Sequence, residues 1–270
     1  MSAWALRVLR PHLRRFDVQV SRWSKSYDFQ RIRYLRDLGV DALVDVGANE
    51  GQYGADVRAY GYSGRLLSVE PQAQAYVRLV ERASQDSLWD SLQCGLGAES
   101  GEAELKLSAN GWSSSILPIL DSHVEAEPES RYRGAERIVL RTLDSVVAEW
   151  GTLGSRIGVK LDVQGFEAEV LRGAANTLPS VWFLECELSL TPLYKGQLLY
   201  DEMIWRLGNE GFSLVNICRG FSDPKTGRVL QIDGVFLRTG EGASDRHHPM
   251  QQWKRDCRPS AAGWPVRPLR

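Results

Sequence analysis

The feature that most constrains the fold is a short apolar segment that leads directly into a glycine-containing turn. Residues 42–46 read Ala-Leu-Val-Asp-Val, and Gly47 and Gly51 follow. An apolar run bounded by turn residues is typical of a strand covered on both faces, as in parallel α/β sheets. The glycines allow main-chain N–H groups to approach a ligand closely. Asp45 then falls at the carboxyl end of the strand, where open parallel sheets place their ligand sites.

The turn differs from the dinucleotide-binding fingerprint. That fingerprint is G-x-G-x-x-G and cradles a pyrophosphate, whereas residues 45–51 follow the pattern D-x-G-A-N-x-G. An acid in the motif would repel phosphate, but it suits a cation or a ligand amine, such as the methionine end of S-adenosylmethionine. An ordinary strand-to-helix turn would carry the same pattern, so this stretch alone leaves both interpretations open.

A second apolar run, over residues 65–69, ends in Glu70 and Pro71. An acid at the end of the second strand is where nucleoside-binding folds accept hydrogen bonds from ribose hydroxyls. Pro71 caps the strand and suits the opening of the next helix. Glu70 would also be unremarkable as a surface residue, but its position after the first motif favours a role in nucleoside binding.

Composition limits the classes of function. The chain has 270 residues with 33 basic and 34 acidic side chains, which gives no global electrostatic case for nucleic acid binding. Apolar residues make up 43%, enough for the core of one large α/β domain. The four cysteines form no C-x-x-C pair, which indicates neither zinc nor a disulfide framework and predicts a reduced, cytoplasmic location. No apolar run approaches the roughly 20 residues that span a bilayer.

The ends of the chain differ from its centre. We predict a basic N-terminal helical region over 1–40, a catalytic domain over 41–238 and a flexible tail over 239–270. Residues 1–24 interleave arginines with apolar side chains. One interpretation is an amphipathic helix resting on anionic lipid at the inner membrane face. The interpretation we favour is a helix packed on the domain, with its arginines in water. A helix over residues 27–38 should end at Gly39.

The middle of the chain departs from simple strand–helix alternation. A third strand is predicted over residues 88–96, and the backbone at Cys94 and Gly95 is a candidate adenine-side position. Residues 98–142 contain two alternating strands and read as an insertion, either a lid over a cofactor or a decorative hairpin. Within it, residues 121–133 are charged and are predicted to be mobile.

Two further strands end in acids. Residues 157–161 lead into Asp162, and we predict a helix over residues 166–178. The next strand, residues 181–188, carries Glu185 and Glu187 on one face because strand side chains alternate. A carboxylate inside an apolar strand is costly unless it is paired or functional. Residues 212–218 and 229–237 are predicted to close the sheet as a hairpin.

The ordered set of motifs resembles the FkbM family of S-adenosylmethionine-dependent methyltransferases, over roughly residues 41–238. Gln164 is a departure, since many members carry Glu at that position. The resemblance rests on residues 44–49, 69–71, 142–144, 160–167, 170–174, Glu185, 192–194 and 233–236.

The resemblance implies a class I methyltransferase (Rossmann-like) fold, a seven-stranded mixed sheet with helices on both faces. It implies an O-methyltransferase acting on a sugar hydroxyl of a glycan, glycolipid or glycosylated natural product, or on a polyketide hydroxyl. The acceptor would be a small molecule or glycan. Carried over by position, the residues on the methionine side of S-adenosylmethionine are Asp45, Gly47, Asn49 and Gly51, and Glu70, followed by Pro71, takes the ribose.

Methyl transfer to an alcohol needs help in removing the hydroxyl proton. Asp162 and Glu185 lie at or near the carboxyl ends of neighbouring strands, as a general base and its orienter or as ligands of Mg²⁺. Asp162 has a structural alternative, capping the helix that begins near residue 166. Glu187, Asp233 and His123 are weaker candidates, and a lone loop histidine such as His123 is expected to be solvated.

Two other classes of function remain open at this stage. A nicotinamide-dependent oxidoreductase is disfavoured by the missing G-x-G-x-x-G motif. A non-catalytic scaffold on a methyltransferase fold is disfavoured by the intact Asp45, Gly47, Glu70 and Asp162. A homodimer is also left open. The basic N-terminal region hints at a membrane-bound or anionic acceptor, such as a lipid-linked glycan.

Overall fold

A computed structural model describes residue 23, residues 26–151 and residues 156–239. The N-terminal segment 1–24 and the predicted tail 239–270 therefore lie almost entirely outside the described residues. In the described part of the chain, no helix is both long and apolar enough to cross a bilayer.

The described residues form seven α-helices and ten strands. The helices are α1 Tyr27–Asp37, α2 Gln52–Ala59, α3 Ala73–Ala83, α4 Asp121–Ala126, α5 Leu143–Trp150, α6 Glu167–Arg172 and α7 Tyr200–Asn209. The strands are β1 Ala42–Val46, β2 Arg65–Val69, β3 Trp89–Leu92, β4 Gly95–Leu96, β5 Gly101–Ser108, β6 Tyr132–Arg141, β7 Ile157–Leu161, β8 Val181–Ser189, β9 Phe212–Arg219 and β10 Gln231–Arg238.

The main sheet confirms the predicted fold class. Its seven strands lie in the order β3-β2-β1-β7-β8-β10-β9. All pairs are parallel except those of β10, which runs antiparallel to both β8 and β9. This is the mixed sheet of a class I methyltransferase, closed by the predicted C-terminal hairpin. Because β1 lies between β2 and β7, the winding direction reverses there and opens a crevice at the carboxyl ends of these strands.

Helices cover both faces of this sheet. On one face, Leu35 of α1, Val57 of α2 and Leu79 of α3 pack against Leu43 and Leu66, and none of the five is exposed to solvent. The other face packs against α5, α6 and α7. Strands β1 and β7 are therefore covered on both sides, as their largely apolar sequences predict. The buried residues of the second face include Val44, Leu67, Val146, Val159, Val170, Leu184 and Leu207.

Helix α1 lies just before the predicted boundary at residue 40 and packs against the sheet. It begins with Ser26 as N-cap, whose side chain accepts a hydrogen bond from the backbone N–H of Phe29. It ends before Gly39, whose φ of +64° fits a helix C-terminus. Because Leu35 belongs to the core and Arg31 is buried, this helix is packed closely on the sheet, and the boundary at residue 40 stays a prediction.

Three other predictions are wrong in detail. The third strand is split, because β3 belongs to the main sheet while β4 pairs with β6 in a second sheet of order β4-β6-β5. The helix predicted over residues 166–178 ends at Arg172, and the carbonyl oxygen of Gly173 accepts a hydrogen bond from the backbone N–H of Asp144 instead of continuing the helix. Residues 121–133 are not a mobile segment, since they form α4 and a short 3₁₀ turn with a buried inner side.

Candidate active site

A cleft of about 650 Å³ opens at the carboxyl ends of β1, β2, β7 and β8. Helix α1 and the second sheet form its outer walls. The cleft lies where the sheet reverses its winding direction, which is the usual ligand position in this class of sheet. The predicted site residues that line it are Gly47, Asn49, Glu70, Pro71, Cys94, Gly95, Asp162 and Glu185.

The glycine turn is held in a left-handed conformation. Gly47, Asn49 and Gly51 have φ of +78°, +48° and +82°. A Cβ on Gly47 would lie 1.9 Å from the carbonyl oxygen of Asp162, so only glycine fits between the two loops. Asparagine is one of the few other residues that tolerate this conformation. Gly51 lies behind the lining, where it caps α2 and where a Cβ would press on Leu79.

Asp45 lies beneath the turn rather than in the cleft lining. It is fully buried, and its Oδ2 accepts a 3.3 Å hydrogen bond from the Ser68 hydroxyl. Burial raises the pKa of Asp45 to about 6, although the ammonium of Lys160, 3.8 Å from Oδ1, opposes the rise. These contacts indicate that Asp45 supports the turn from below. Its predicted place on the methionine side stays a prediction.

Glu70 joins the end of β2 to the glycine turn. Its Oε2 accepts a 2.8 Å hydrogen bond from the backbone N–H of Asn49, and its Oε1 accepts one of 2.8 Å from that of Gln72. Burial raises the pKa of Glu70 to about 7, against these two hydrogen bonds. A carboxylate has about four lone-pair sites. Both oxygens therefore keep acceptor capacity for two hydroxyl groups of a ligand.

Cys94 and Gly95 form an apolar part of the cleft. Cys94 is 2% exposed, and burial raises the pKa of its thiol to about 11, so the thiol is neutral. A Cβ on Gly95 would lie 2.8 Å from Leu140 and 2.9 Å from Ile138. The glycine thus allows β6 of the second sheet to pack closely against this wall. A flat apolar ring such as adenine suits this surface.

Asp162 presents a carboxylate to the cleft. Its side chain is 34% exposed, its Oδ2 lies 3.1 Å from the ammonium of Lys160, and its Oδ1 accepts a 2.8 Å hydrogen bond from Gln164 Nε2. The alternative role of Asp162 as a helix cap is wrong. This helix has no side-chain cap, and Oε1 of Glu167 instead holds the preceding loop by accepting from the backbone N–H groups of Val163, at 3.0 Å, and Gly165.

Glu185 is enclosed by donors from two helices. Its Oε1 accepts hydrogen bonds from the Tyr27 hydroxyl at 3.0 Å and from Arg31 Nη1 at 3.3 Å, and its Oε2 accepts one of 2.9 Å from the Tyr53 hydroxyl. Arg31 is paired in addition with Asp28 at 2.9 Å. Burial, followed by the neighbouring carboxylate, raises the pKa of both tyrosines well above the ordinary value. These contacts favour a positioning role for Glu185 over that of a proton acceptor.

The insertion between β5 and α5 forms a wall of the cleft. We call residues 110–115 the rim segment. It is tied to the glycine turn, since Asn49 Nδ2 donates to the carbonyl oxygen of Gly111 at 3.2 Å. It is tied to the β7 loop as well, since Ser115 Oγ donates to the carbonyl oxygen of Gln164 at 2.8 Å. These contacts favour the lid interpretation over the decorative hairpin. Trp112, at the centre of the segment, is 60% exposed and lines the cleft.

His123 contradicts the expectation of a solvated loop histidine. It is 2% exposed and packs between the rings of Tyr194 and Phe221, with centroid distances of 5.2 Å to each. Burial lowers the pKa of His123 to about 4, so the imidazole is neutral near pH 7. Its Nδ1 has no hydrogen-bond partner among the described residues. His123 therefore belongs to the cleft wall, and its helix α4 is fixed there by aromatic packing.

Sequence reasoning missed several residues that organise the cleft. Lys160 sits inside an apolar strand, and the argument applied to Glu185, that a charge there needs a partner, would have singled it out. Tyr53 and Arg31 gave no such signal, because their spacing is typical of ordinary helices. In the sequence, Gln164 stands out only as a departure from a family pattern.

The structure does not assemble the predicted magnesium site. In the described part of the chain, no group of three or more His, Cys, Asp or Glu side chains is placed to hold a metal ion. The carboxylate of Asp162 is bound by Lys160 and Gln164, whereas that of Glu185 is bound by Tyr27, Arg31 and Tyr53. The two acids therefore serve separate networks, and this donor set does not fit Mg²⁺.

Comparison with known proteins identifies one family. The sequence profile described as the Methyltransferase FkbM domain matches residues 45–214. The 2-O-methyltransferase NoeI of Sinorhizobium fredii (strain NBRC 101917 / NGR234) is 25% identical over 197 residues, which cover 70% of this chain and 81% of that protein.

The solved structures that resemble this chain share less sequence identity with it than NoeI does. An rRNA methylase from Streptococcus thermophilus has 11% identity and a TM-score of 0.44, over 83% of this chain and 100% of that one. The 1,6-didemethyltoxoflavin-N1-methyltransferase of Burkholderia thailandensis, solved with bound 1,6-didemethyltoxoflavin and S-adenosylhomocysteine, has 12% identity and a TM-score of 0.42, over 87% and 86% of the two chains.

Proposed function

The chain belongs to the FkbM methyltransferase family, and on this basis we propose that it transfers a methyl group from S-adenosylmethionine to a hydroxyl of a sugar. The sugar would be part of a glycan, a glycolipid or a glycosylated natural product. The observation that carries the proposal is the carboxylate of Glu70, held by two backbone N–H groups beside the glycine turn. The name of the relative NoeI, a 2-O-methyltransferase, supports oxygen as the methylated atom.

The residues present fit S-adenosylmethionine. Glu70 offers a buried acceptor for the ribose hydroxyls, Gly47 and Asn49 present backbone to the methionine side, and Cys94 and Gly95 offer a neutral surface for adenine. The bound cofactor supplies an activated methyl group on its sulfonium. The protein has to bind the donor, place the acceptor oxygen in line with the methyl group and receive the hydroxyl proton.

The remaining part of the cleft suits a sugar. Its lining includes the aromatic rings of Trp112 and Phe221 together with polar groups of His123, Gln231 and Asp233. Sites for small molecules typically combine apolar and aromatic surface with a few placed hydrogen-bonding groups. A sugar ring matches this mixture, because its C–H faces are apolar and its edge carries hydroxyls.

We assign to Asp162 the role of accepting the proton from the hydroxyl that is methylated. Its carboxylate is partly exposed in the cleft, and the ammonium of Lys160 lies 3.1 Å from Oδ2. A positioned proton acceptor typically contributes a factor of about 10²–10⁴ in rate. Glu185 is assigned a positioning role, since its oxygens are engaged by Tyr27, Arg31 and Tyr53.

Isothermal titration with S-adenosylmethionine tests the first half of the proposal, on the wild type and on Glu70→Ala. Micromolar binding that the substitution weakens is the expected result. Transfer of a labelled methyl group to a panel of neutral oligosaccharides, with and without EDTA, then tests the second half. Binding without turnover on any saccharide would favour the scaffold alternative. An absence of binding, together with a change in NADH fluorescence on mixing, would favour the oxidoreductase.

A cytoplasmic location is the remaining part of the proposal, with peripheral membrane contact through residues 1–24 as the alternative to a helix packed on the domain. These residues carry the arginines and apolar side chains that suit anionic lipid. Salt-sensitive association with liposomes containing anionic lipid, lost on deletion of residues 1–24, would support the membrane contact. No association at low salt would favour a helix packed on the domain. The oligomeric state, including a homodimer, can be measured in the same preparations by light scattering.

A further inference from the structure

Two carboxylates in the cleft share one amide nitrogen. Nε2 of Gln164 lies 2.8 Å from Oδ1 of Asp162 and 3.1 Å from Oε2 of Glu187. A primary amide carries two hydrogens, so it can donate one to each carboxylate. Asp162 and Glu187 come from the ends of neighbouring strands, β7 and β8, and all three side chains line the cleft.

The surroundings fix the orientation of this amide. Its Oε1 accepts a 2.7 Å hydrogen bond from the Tyr194 hydroxyl, which directs Nε2 towards the two acids. The backbone carbonyl of Gln164 accepts from Ser115 of the rim segment. The φ of Gln164 is +54°, a conformation that residues other than glycine rarely adopt and that persists only where neighbours impose it. A strained backbone that aims one side chain at two carboxylates indicates a functional constraint.

The charges around the pair explain why a donor is needed there. Carboxylates of Glu167 and Asp233 also face Glu187, and the ammonium of Lys160 is the opposing charge. Lys160 is itself in contact with Asp162 and near Asp45. Neighbouring carboxylates repel each other strongly in a partly buried site. A bound proton, a metal ion or a hydrogen-bond donor between them reduces this repulsion.

We propose that the amide of Gln164 takes the place of a metal ion between Asp162 and Glu187, so that methyl transfer in this cleft needs no divalent cation. The inference rests on the proposed function, since it concerns the acceptor end of the same site. Gln164 is a positioning residue in this account. It sets the direction of the Asp162 carboxylate and joins it to the rim segment.

A single substitution distinguishes an amide bridge from an ordinary structural contact. Gln164→Glu keeps the length of the side chain and an acceptor for Tyr194, but it places a third carboxylate beside Asp162 and Glu187. Three carboxylates that meet at the ends of neighbouring strands are a typical oxygen ligand set for Mg²⁺ or Mn²⁺. The variant should therefore gain a metal site that the wild type lacks. Gln164→Ala removes the bridge without adding a ligand.

The experiment measures Mn²⁺ binding by electron paramagnetic resonance, with the binding of S-adenosylmethionine measured on the same samples. We expect Gln164→Glu to bind Mn²⁺ at least about tenfold more tightly than the wild type. The gain should disappear in Gln164→Glu/Glu187→Gln and be absent in Gln164→Ala. Gln85→Glu, which adds the same charge at an exposed position, serves as the control for unspecific attraction.

Two results would overturn the inference. One is a wild type that already binds Mn²⁺ as tightly as Gln164→Glu. The other is a folded Gln164→Glu variant that shows no gain over Gln85→Glu. A wild type that does not bind S-adenosylmethionine would instead count against the proposed function. Failure of the inference and failure of the proposed function are therefore distinguishable. Where an acceptor is found, turnover by the wild type should be unchanged by EDTA, and Gln164→Glu should become sensitive to added Mn²⁺.

Discussion

The hydroxyl of Tyr53 donates a 2.9 Å hydrogen bond to Oε2 of Glu185, although the two residues lie 132 positions apart in the chain. Tyr53 belongs to the helix that follows the glycine turn, and Glu185 belongs to strand β8. Because Tyr27 and Arg31 hold the other carboxylate oxygen, this one acid anchors helices α1 and α2 together. Both helices line the cleft, so its width depends on Glu185.

Replacing Glu185 should therefore destabilise the fold. Glu185→Ala leaves Arg31 buried with only Asp28 as its partner, and breaking a buried pair in this way costs about 3 kcal/mol. Chemical denaturation measures the difference in the free energy of unfolding. Glu102→Ala is the matched control, because its ion pair with Arg137 is exposed and should contribute almost nothing. Equal effects of the two substitutions would contradict the anchoring role.

Gly47→Ala should impair both folding and cofactor binding. A left-handed conformation costs a residue with a Cβ roughly 1–2 kcal/mol, and this Cβ would also collide with the carbonyl oxygen of Asp162. The free energy of unfolding and the affinity for S-adenosylmethionine should fall together. Gly101→Ala, where nothing lies near the added Cβ, is the control. A variant that binds the cofactor normally would show that the turn can move away from Asp162.

The pKa of Glu70, raised by burial to about 7, predicts a pH dependence of cofactor binding. In the role proposed for it, the ionised carboxylate accepts hydrogen bonds from both ribose hydroxyls, whereas the protonated acid loses part of this capacity. Affinity should therefore fall by about tenfold between pH 8 and pH 6, as the carboxylate takes up its proton. Titrations at the two pH values test this. Glu70→Gln should bind weakly at both, and a wild type with no pH dependence would contradict the assignment.

The same residue predicts an effect on stability with a definite sign. The pKa of Glu70 is raised above its ordinary value of 4.5, so the folded state binds the proton more tightly than the unfolded chain does. Its contribution to stability is present below pH 4.5 and is lost as the pH rises through 7. Without ligand, Glu70→Gln should gain stability relative to the wild type between pH 5 and pH 8, measured by denaturant unfolding. A constant difference would argue against the buried carboxylate as the cause.

Trp112 should report on occupation of the cleft. Its indole is 60% exposed on the rim segment, which is tied to the glycine turn through Asn49. Binding of S-adenosylhomocysteine should reduce its contact with water and shift its fluorescence emission to shorter wavelength. The shift should be lost in Trp112→Phe and kept in Trp205→Phe, whose indole is 72% exposed on α7 outside the cleft lining. Retention of the shift in Trp112→Phe would mean that Trp112 is not the reporter.

Patterns within a few residues predicted much of the fold. The strand before Gly47, the acid at Glu70 and the N-cap at Thr142 all follow from local hydrophobicity, glycine positions and side-chain capping. The prediction of one continuous third strand is wrong because the chain changes sheets between Leu92 and Gly95. That change depends on pairing with β6. The prediction of a mobile segment over residues 121–133 is wrong, because it rests on their charge alone. The contacts of His123 with Tyr194 and Phe221 are made between distant parts of the chain.

The sequence by itself determined the class of sheet, the glycine turn and the acids at the strand ends, since each depends on neighbouring residues. Only the tertiary structure decided which polar groups meet. Tyr27 and Glu185 are 158 positions apart, and Gln164 and Glu187 are 23 apart on adjoining elements. A buried charge requires a partner of opposite charge or a hydrogen-bond donor, but local sequence patterns do not identify which residue that partner is. The order of the strands and the packing of α1 bring the two together, and those are properties of the folded chain as a whole.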